Sequence, residues 1–179
     1  MITIEQIKQL HRKILINKNS YELNAGKFKE KNNIVKVPIT KHGIIIEYAT
    51  TDKINVETEL NFIIDLFKIE IKNKKIKKTK SIGNFIFSFI KIHPFEDGNG
   101  RLSRQLLHYL FKTYCSDVHN FYDIEKYITK HKKSYNNSIN KCRKIETKEF
   151  YTNKFFIEYI QGLELLLRCK GWLKKIFSY

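Results

Sequence analysis

One stretch of twelve residues, His93-Pro94-Phe95-Glu96-Asp97-Gly98-Asn99-Gly100-Arg101-Leu102-Ser103-Arg104, gathers side chains that could do chemistry together. His93 offers an imidazole with an ordinary pKa near ~6.5, a neutral base at physiological pH. Asp97 offers a hard oxygen ligand, and Mg²⁺ is usually held by one or two carboxylates plus phosphate oxygens. Gly98 and Gly100 flank Asn99, so the backbone can take unusual angles and a ligand can approach it closely. A helix that begins just afterwards aims its unpaired amides and the positive end of its dipole back at the loop, which makes an anion site. Arg101 and Arg104, three apart on one face of that first turn, can reach the same polyanion. A base, a metal ligand, an anion cradle and two guanidiniums point to in-line attack at a phosphorus atom.

Other readings of the stretch compete. An EF-hand loop shares Asp97-Gly98-Asn99-Gly100, but Arg101 follows at its fifth position and the downstream bidentate glutamate is missing. A phosphate loop of the GxxxxGK(S/T) type occurs nowhere in the chain. The plainest alternative is a helix corner, in which His93 caps a helix and the two arginines are surface charges.

The elements around the stretch must hold it rigidly. Residues 81–92 are apolar nearly all round, as expected of a buried helix, and it should end at His93 because Pro94 disfavours helical geometry before it. The helical pattern resumes at Arg101 with Leu102, Leu106, Leu107, Leu110 and Phe111. Upstream, residues 3–16 read as a helix capped by Thr3, and residues 17–33 as a loop. Residues 35–38 and 43–48 read as short strands around the turn Thr40-Lys41-His42-Gly43. Residues 56–72 carry Leu60, Ile63, Ile64, Phe67 and Ile71 on one helical stripe. Weaker helices are expected over 123–133 and 135–143, and a longer amphipathic one over 148–168. The fold class is therefore mainly α, a helical bundle with a small β hairpin near the motif loop.

The chain has 179 residues and a formal net charge of +16, which attracts anions: nucleic acid, acidic membrane or a nucleotide. Much of that charge is lysine of the kind that coats helices, and the densest run, residues 72–80, reads as an exposed connection. Arginines interleaved with aromatic residues are missing, so a basic nucleic-acid-binding module is the weaker alternative function. Cys115, Cys142 and Cys169 form no CxxC pair and fit reduced thiols. His11, His42, His108, His119 and His131 lack metal-ligand spacing and read as background. No signal peptide is visible, and residues 155–167 are too short and too charged to span a bilayer, so a cytoplasmic protein, or one delivered into a host cell, is expected.

The stretch resembles the signature of the Fic family, HxFx(D/E)GNGRxxR, at every specified position: His93, Phe95, Asp97, Gly98, Asn99, Gly100, Arg101 and Arg104. At background frequencies of about 5% per residue type, eight such matches arise by chance on the order of 10⁻⁸ per chain. Residues 3–11 and Ala25-Gly26-Lys27-Phe28-Lys29 resemble the family's opening helix and its Gly-x-Phe-Arg element, with Lys29 where the family has arginine. Residues 135–139 resemble its closing helix, so a Fic domain over 1–145 and a helical extension over 146–179 are expected.

The resemblance implies a protein adenylyltransferase that moves AMP from ATP to a Ser, Thr or Tyr hydroxyl of a target protein. It implies that His93 is the base and that Asp97 holds Mg²⁺. Gly98, Asn99 and Gly100 would form the anion hole, with Arg101 on the β-phosphate and Arg104 on the γ-phosphate. Phe95 would anchor the loop in the core, and the strands would form a flap that holds the target segment. The alternative on the same fold is transfer from another phosphate-containing donor; Gly100 argues against the kinase-like Doc variant, which lacks that glycine. The inhibitory pattern (S/T)xxxE(G/N) of many relatives is missing from these residues. Inhibition by a separate antitoxin-like protein, or no inhibition, is the corresponding expectation.

Overall fold

The computed structural model describes residues 2–16, 24–38, 45–115, 128–133 and 135. Helix α1 spans Ile4–Leu15 and begins with a reciprocal cap. The Gln6 amide donates to Thr3 Oγ1 at 3.2 Å, and the Thr3 amide donates to Gln6 Oε1 at 3.0 Å. These bonds satisfy two of the donors that a helix start leaves over. Its inward stripe is Ile7, His11 and Leu15, so a histidine occupies a place that spacing assigns to the core.

Strands β1 (Ile34–Pro38) and β2 (Ile45–Ala49) pair antiparallel from Ile34 opposite Ala49 to Pro38 opposite Ile45. The hairpin agrees with expectation, and β2 runs one residue past the end that the sequence pattern gave it; residues 39–44, which hold the turn, lie outside the described residues. Lys36 and Glu47 face each other and pair at 2.9 Å, an exposed contact worth well under ~1 kcal/mol. Below the hairpin, Asn32 donates to Asp52 at 2.9 Å and accepts from the Lys53 amide at 2.8 Å, which closes the base of the ribbon.

A single 3-10 turn at Lys53–Asn55, capped by Asp52, leads into α2 (Val56–Lys72), whose bounds match the sequence reading. Helix α3 (Lys78–Ile92) starts three residues earlier than its apolar run, because the end of the lysine-rich connection is drawn into its first turn. Helix α4 spans Asn99–Tyr114. The helical bundle stacks α2 on α3, α3 on α4 and α4 on α1. Phe67, Phe89, Phe95, Leu102, Leu106 and Phe111 are sealed at its centre, each contributing about 1.5–3 kcal/mol of burial. Ile128 and Tyr135, from helical turns after α4, join the same core. Of the helices expected over 123–133 and 135–143, only residues 128–133 and 135 are described; the one expected over 148–168, together with Cys142 and Cys169, lies outside the described residues. Among the described residues, no helix is long and apolar enough to cross a membrane.

Candidate active site

The twelve-residue stretch is the corner between α3 and α4. Helix α3 ends on the Phe89 carbonyl, which accepts from the His93 amide at 3.1 Å. His93 then turns out of the helix in the left-handed region, at φ 52° and ψ 61°. The expectation that Pro94 stops the helix holds, but the residue before it is left-handed rather than extended. Among the described residues His93 is the only non-glycine with positive φ. Such a conformation costs about 1–2 kcal/mol for an L-residue and persists where the surroundings impose it.

The corner is held from inside by Asn99. Its side chain is 3% exposed. Asn99 Oδ1 accepts from the Phe95 amide at 3.1 Å, and Asn99 Nδ2 donates to the Phe95 carbonyl at 2.7 Å. The amide thus bridges the N–H and C=O of Phe95 and ties the corner loop to the start of α4. Phe95 itself is fully buried, as expected of an anchor, and its ring packs against Phe28 and His11.

His11, whose spacing reads as background, is built into the underside of the corner. It is 1% exposed and stacks on Phe95 with ring centroids 3.8 Å apart. The Gly26 amide donates to its Nδ1 at 2.9 Å, so Nδ1 carries no proton. Nε2 must then carry the proton and donates to the Asp97 carbonyl at 3.0 Å. This pair of bonds fixes a neutral tautomer, and burial, the largest influence, pushes the imidazole pKa below its usual value. Gly98 follows at φ 79°, and a Cβ there would come 3.1 Å from His11 Nε2. The signal that could have found His11 was its place between Ile7 and Leu15 on an otherwise apolar face.

The other side of the corner is gripped by Lys29, which is 3% exposed. Its ammonium donates to Thr50 Oγ1 at 2.7 Å, Asn33 Oδ1 at 2.9 Å and the Ile92 carbonyl at 3.4 Å. Its amide donates to the Pro94 carbonyl at 2.9 Å. Asn33 Nδ2 continues the network to the Phe95 carbonyl at 3.2 Å. Burial lowers the Lys29 pKa, and Asp52 and Glu59 act against that shift.

Past Gly98, whose carbonyl accepts from the Leu102 amide at 2.8 Å, α4 begins. It starts at Asn99, two residues before the apolar pattern resumes, because left-handed Gly98 serves as the N-cap. The amides of Asn99, Gly100 and Arg101 are therefore the leading donors of the helix, with no carbonyl one turn behind them. The half-exposed Asp97 carboxylate pairs with Arg101 at 3.2 Å. Arg104, half-buried on the same face, lies beside buried Tyr135, whose hydroxyl pKa is raised by burial and eased by Ser103 and the Arg104 charge. Among the described residues no three His, Cys, Asp or Glu side chains converge as a metal cage. One accessible carboxylate beside a helix start fits a cation that arrives with phosphates and takes most of its ligands from them.

The structure thus places Asp97 and Gly98 just before α4, Asn99, Gly100, Arg101 and Arg104 in its first turns, and His93 at the C-cap of α3. No curated protein matches the sequence. Two Fic proteins are among the solved structures that share the fold. One is a Fic-domain-containing signaling protein from Bacteroides thetaiotaomicron, 21% identical with a TM-score of 0.59, covering 94% of this chain and 59% of its own. The other is a Fic family protein from Desulfovibrio desulfuricans, 14% identical with a TM-score of 0.68, covering 96% and 48%. The chain therefore spans roughly half to three-fifths of the length of these neighbours. The Fic/DOC family profile matches residues 1–111, which run from the capped first helix through the corner loop and most of α4. With that match extending over more than half of its length, the chain belongs to the Fic/DOC family.

Proposed function

We propose that this protein is an adenylyltransferase that moves AMP from ATP to a Ser, Thr or Tyr hydroxyl of a target protein. The observation that carries the reading is the corner itself. A strained histidine at the end of α3 and the amide-rich start of α4 are locked into one buried loop by Asn99, His11 and Lys29. His93 takes the proton of the target hydroxyl, whose oxygen forms a bond to the α-phosphorus of ATP. The bond from that phosphorus to the bridging oxygen breaks, and pyrophosphate leaves. The leading amides of α4, Arg101 and Arg104 meet the negative charge of the phosphates. Gly100 fits this role, because a Cβ there would meet only Arg104 Nη1, at an ordinary 3.8 Å; nothing within the described chain demands a glycine, whereas a phosphate lying on the backbone does. Asp97 would hold Mg²⁺, which supplies charge neutralisation of the phosphates when bound. The β1–β2 hairpin would take the target segment as an added strand.

Intact-mass spectrometry of the protein with ATP and Mg²⁺, alone and with a cell extract as the source of targets, tests the reading. Wild type should add AMP to itself or to an extract protein, and His93→Ala should lower the rate by about 10²–10⁴-fold while still binding ATP. Labelling that survives His93→Ala, or no binding of ATP, would remove the reading.

A further inference from the structure

Among the described residues, Lys29 is the one lysine that is buried, and its partners are not scattered. Its ammonium holds the carbonyl before His93 and its amide holds the carbonyl after it, since Ile92 and Pro94 flank that residue. The Ile92 carbonyl is the last of α3, one of the acceptors a helix end leaves unpaired, and it carries the negative end of the dipole. A cation is the fitting donor there. The same ammonium also binds Asn33 and Thr50, which directly precede β1 and follow β2. Thr50 Oγ1 accepts from Lys29, and its own hydroxyl donates to Asn33, whose backbone carbonyl lies at 2.8 Å. The three N–H bonds of one ammonium therefore meet three oxygens, two at the base of the hairpin and one beside His93.

We infer that Lys29 is a positioning residue, which holds His93 in its left-handed conformation and sets the distance between that base and the β1–β2 hairpin. Its effect on rate rests on the adenylyl-transfer reading; its effect on the His93 geometry does not. A target strand paired to the hairpin meets the base in a fixed relation because one side chain grips both. A packing role alone would be met by any unbranched side chain of similar length, such as methionine, which fills the space and leaves the three oxygens without their donor.

The test compares full-length wild type with Lys29→Met, Lys29→Arg and Thr50→Val. The first readout is the imidazole NMR signals of [¹⁵N]histidine-labelled protein, with His93 assigned from His93→Ala. The second is ATP binding by calorimetry, and the third is the rate of AMP addition. Lys29→Met should shift or broaden the His93 signals and slow AMP addition about 10–100-fold, with ATP affinity within about threefold of wild type because the α4 start is untouched. Lys29→Arg, which keeps the charge and carries five N–H donors for the three oxygens, should recover the His93 signals at least in part. Thr50→Val, which removes one acceptor, should show a smaller change in the same direction and serves if Lys29→Met does not fold. Wild-type His93 signals in Lys29→Met, or in Thr50→Val if that variant alone folds, overturn the inference. So does a loss of rate matched by an equal loss of ATP affinity. If wild type transfers no AMP, the functional reading fails, and the His93 signals still decide the role of Lys29.

Discussion

Replacing His11 with phenylalanine isolates what the imidazole does beyond filling space. Phenylalanine keeps a ring on the face of Phe95, where the present stacking distance is 3.8 Å, but it has no nitrogen for the Gly26 amide or the Asp97 carbonyl. The Gly26 amide lies in a buried bond, and a stranded buried donor costs about 1–3 kcal/mol. The Asp97 carbonyl sits in a part-buried bond and adds about 0.5–1.5 kcal/mol. The sum, roughly 1.5–4.5 kcal/mol, is a large share of the 5–15 kcal/mol typical of a domain and should lower the urea midpoint by about 1–2 M. The loss should also depend on pH. Because the native protein favours neutral His11, the unfolded chain binds a proton more readily. Wild-type stability from this group is complete above the unfolded pKa near ~6.5 and falls as pH drops below it toward the lowered native value. The gap between wild type and His11→Phe should therefore narrow between pH 7.5 and pH 5.5, by at most about 1.4 kcal/mol. Urea unfolding followed by circular dichroism at both pH values measures it. A variant within about 0.5 kcal/mol of wild type at pH 7.5, or a gap unchanged at pH 5.5, would refute the neutral, doubly bonded histidine.

The two motif glycines should separate stability from binding. Gly98→Ala places a Cβ at φ 79° and 3.1 Å from His11 Nε2, so it should cost about 1–3 kcal/mol in urea unfolding. Gly100→Ala meets only Arg104 at 3.8 Å; its stability should be unchanged or up to about 1 kcal/mol higher, while calorimetry should show ATP binding weakened. Equal unfolding midpoints for both variants would contradict the cap geometry. Asp97→Asn breaks a partly exposed ion pair with Arg101 and should shift stability by less than ~1 kcal/mol. In that variant added Mg²⁺ should no longer strengthen ATP binding, and an undiminished Mg²⁺ effect would take the metal role from Asp97.

The amino-acid sequence by itself determined whatever depends on neighbours along the chain. Thr3 directly precedes the apolar period of α1, so its capping role was readable, and Gln6 three residues on returns the bond. The bounds of α2 followed from its apolar stripe, and the motif loop fell between two apolar runs because helices cannot continue through His93-Pro94 and Gly98. Phe95 was legible as an anchor, being a large apolar residue among polar ones. Tertiary structure decided what those residues touch. His11 reaches Asp97 across 86 positions and Lys29 reaches Ile92 across 63, and no local period encodes such a meeting. Asn99 shows the same limit: its place between two glycines says nothing of Phe95, yet folding turns its side-chain amide inward onto that residue's backbone. Side-chain type limits the bonds a residue can make. Only the packing of distant segments, which removes water and leaves each buried donor one acceptor within reach, decides which of those bonds exists.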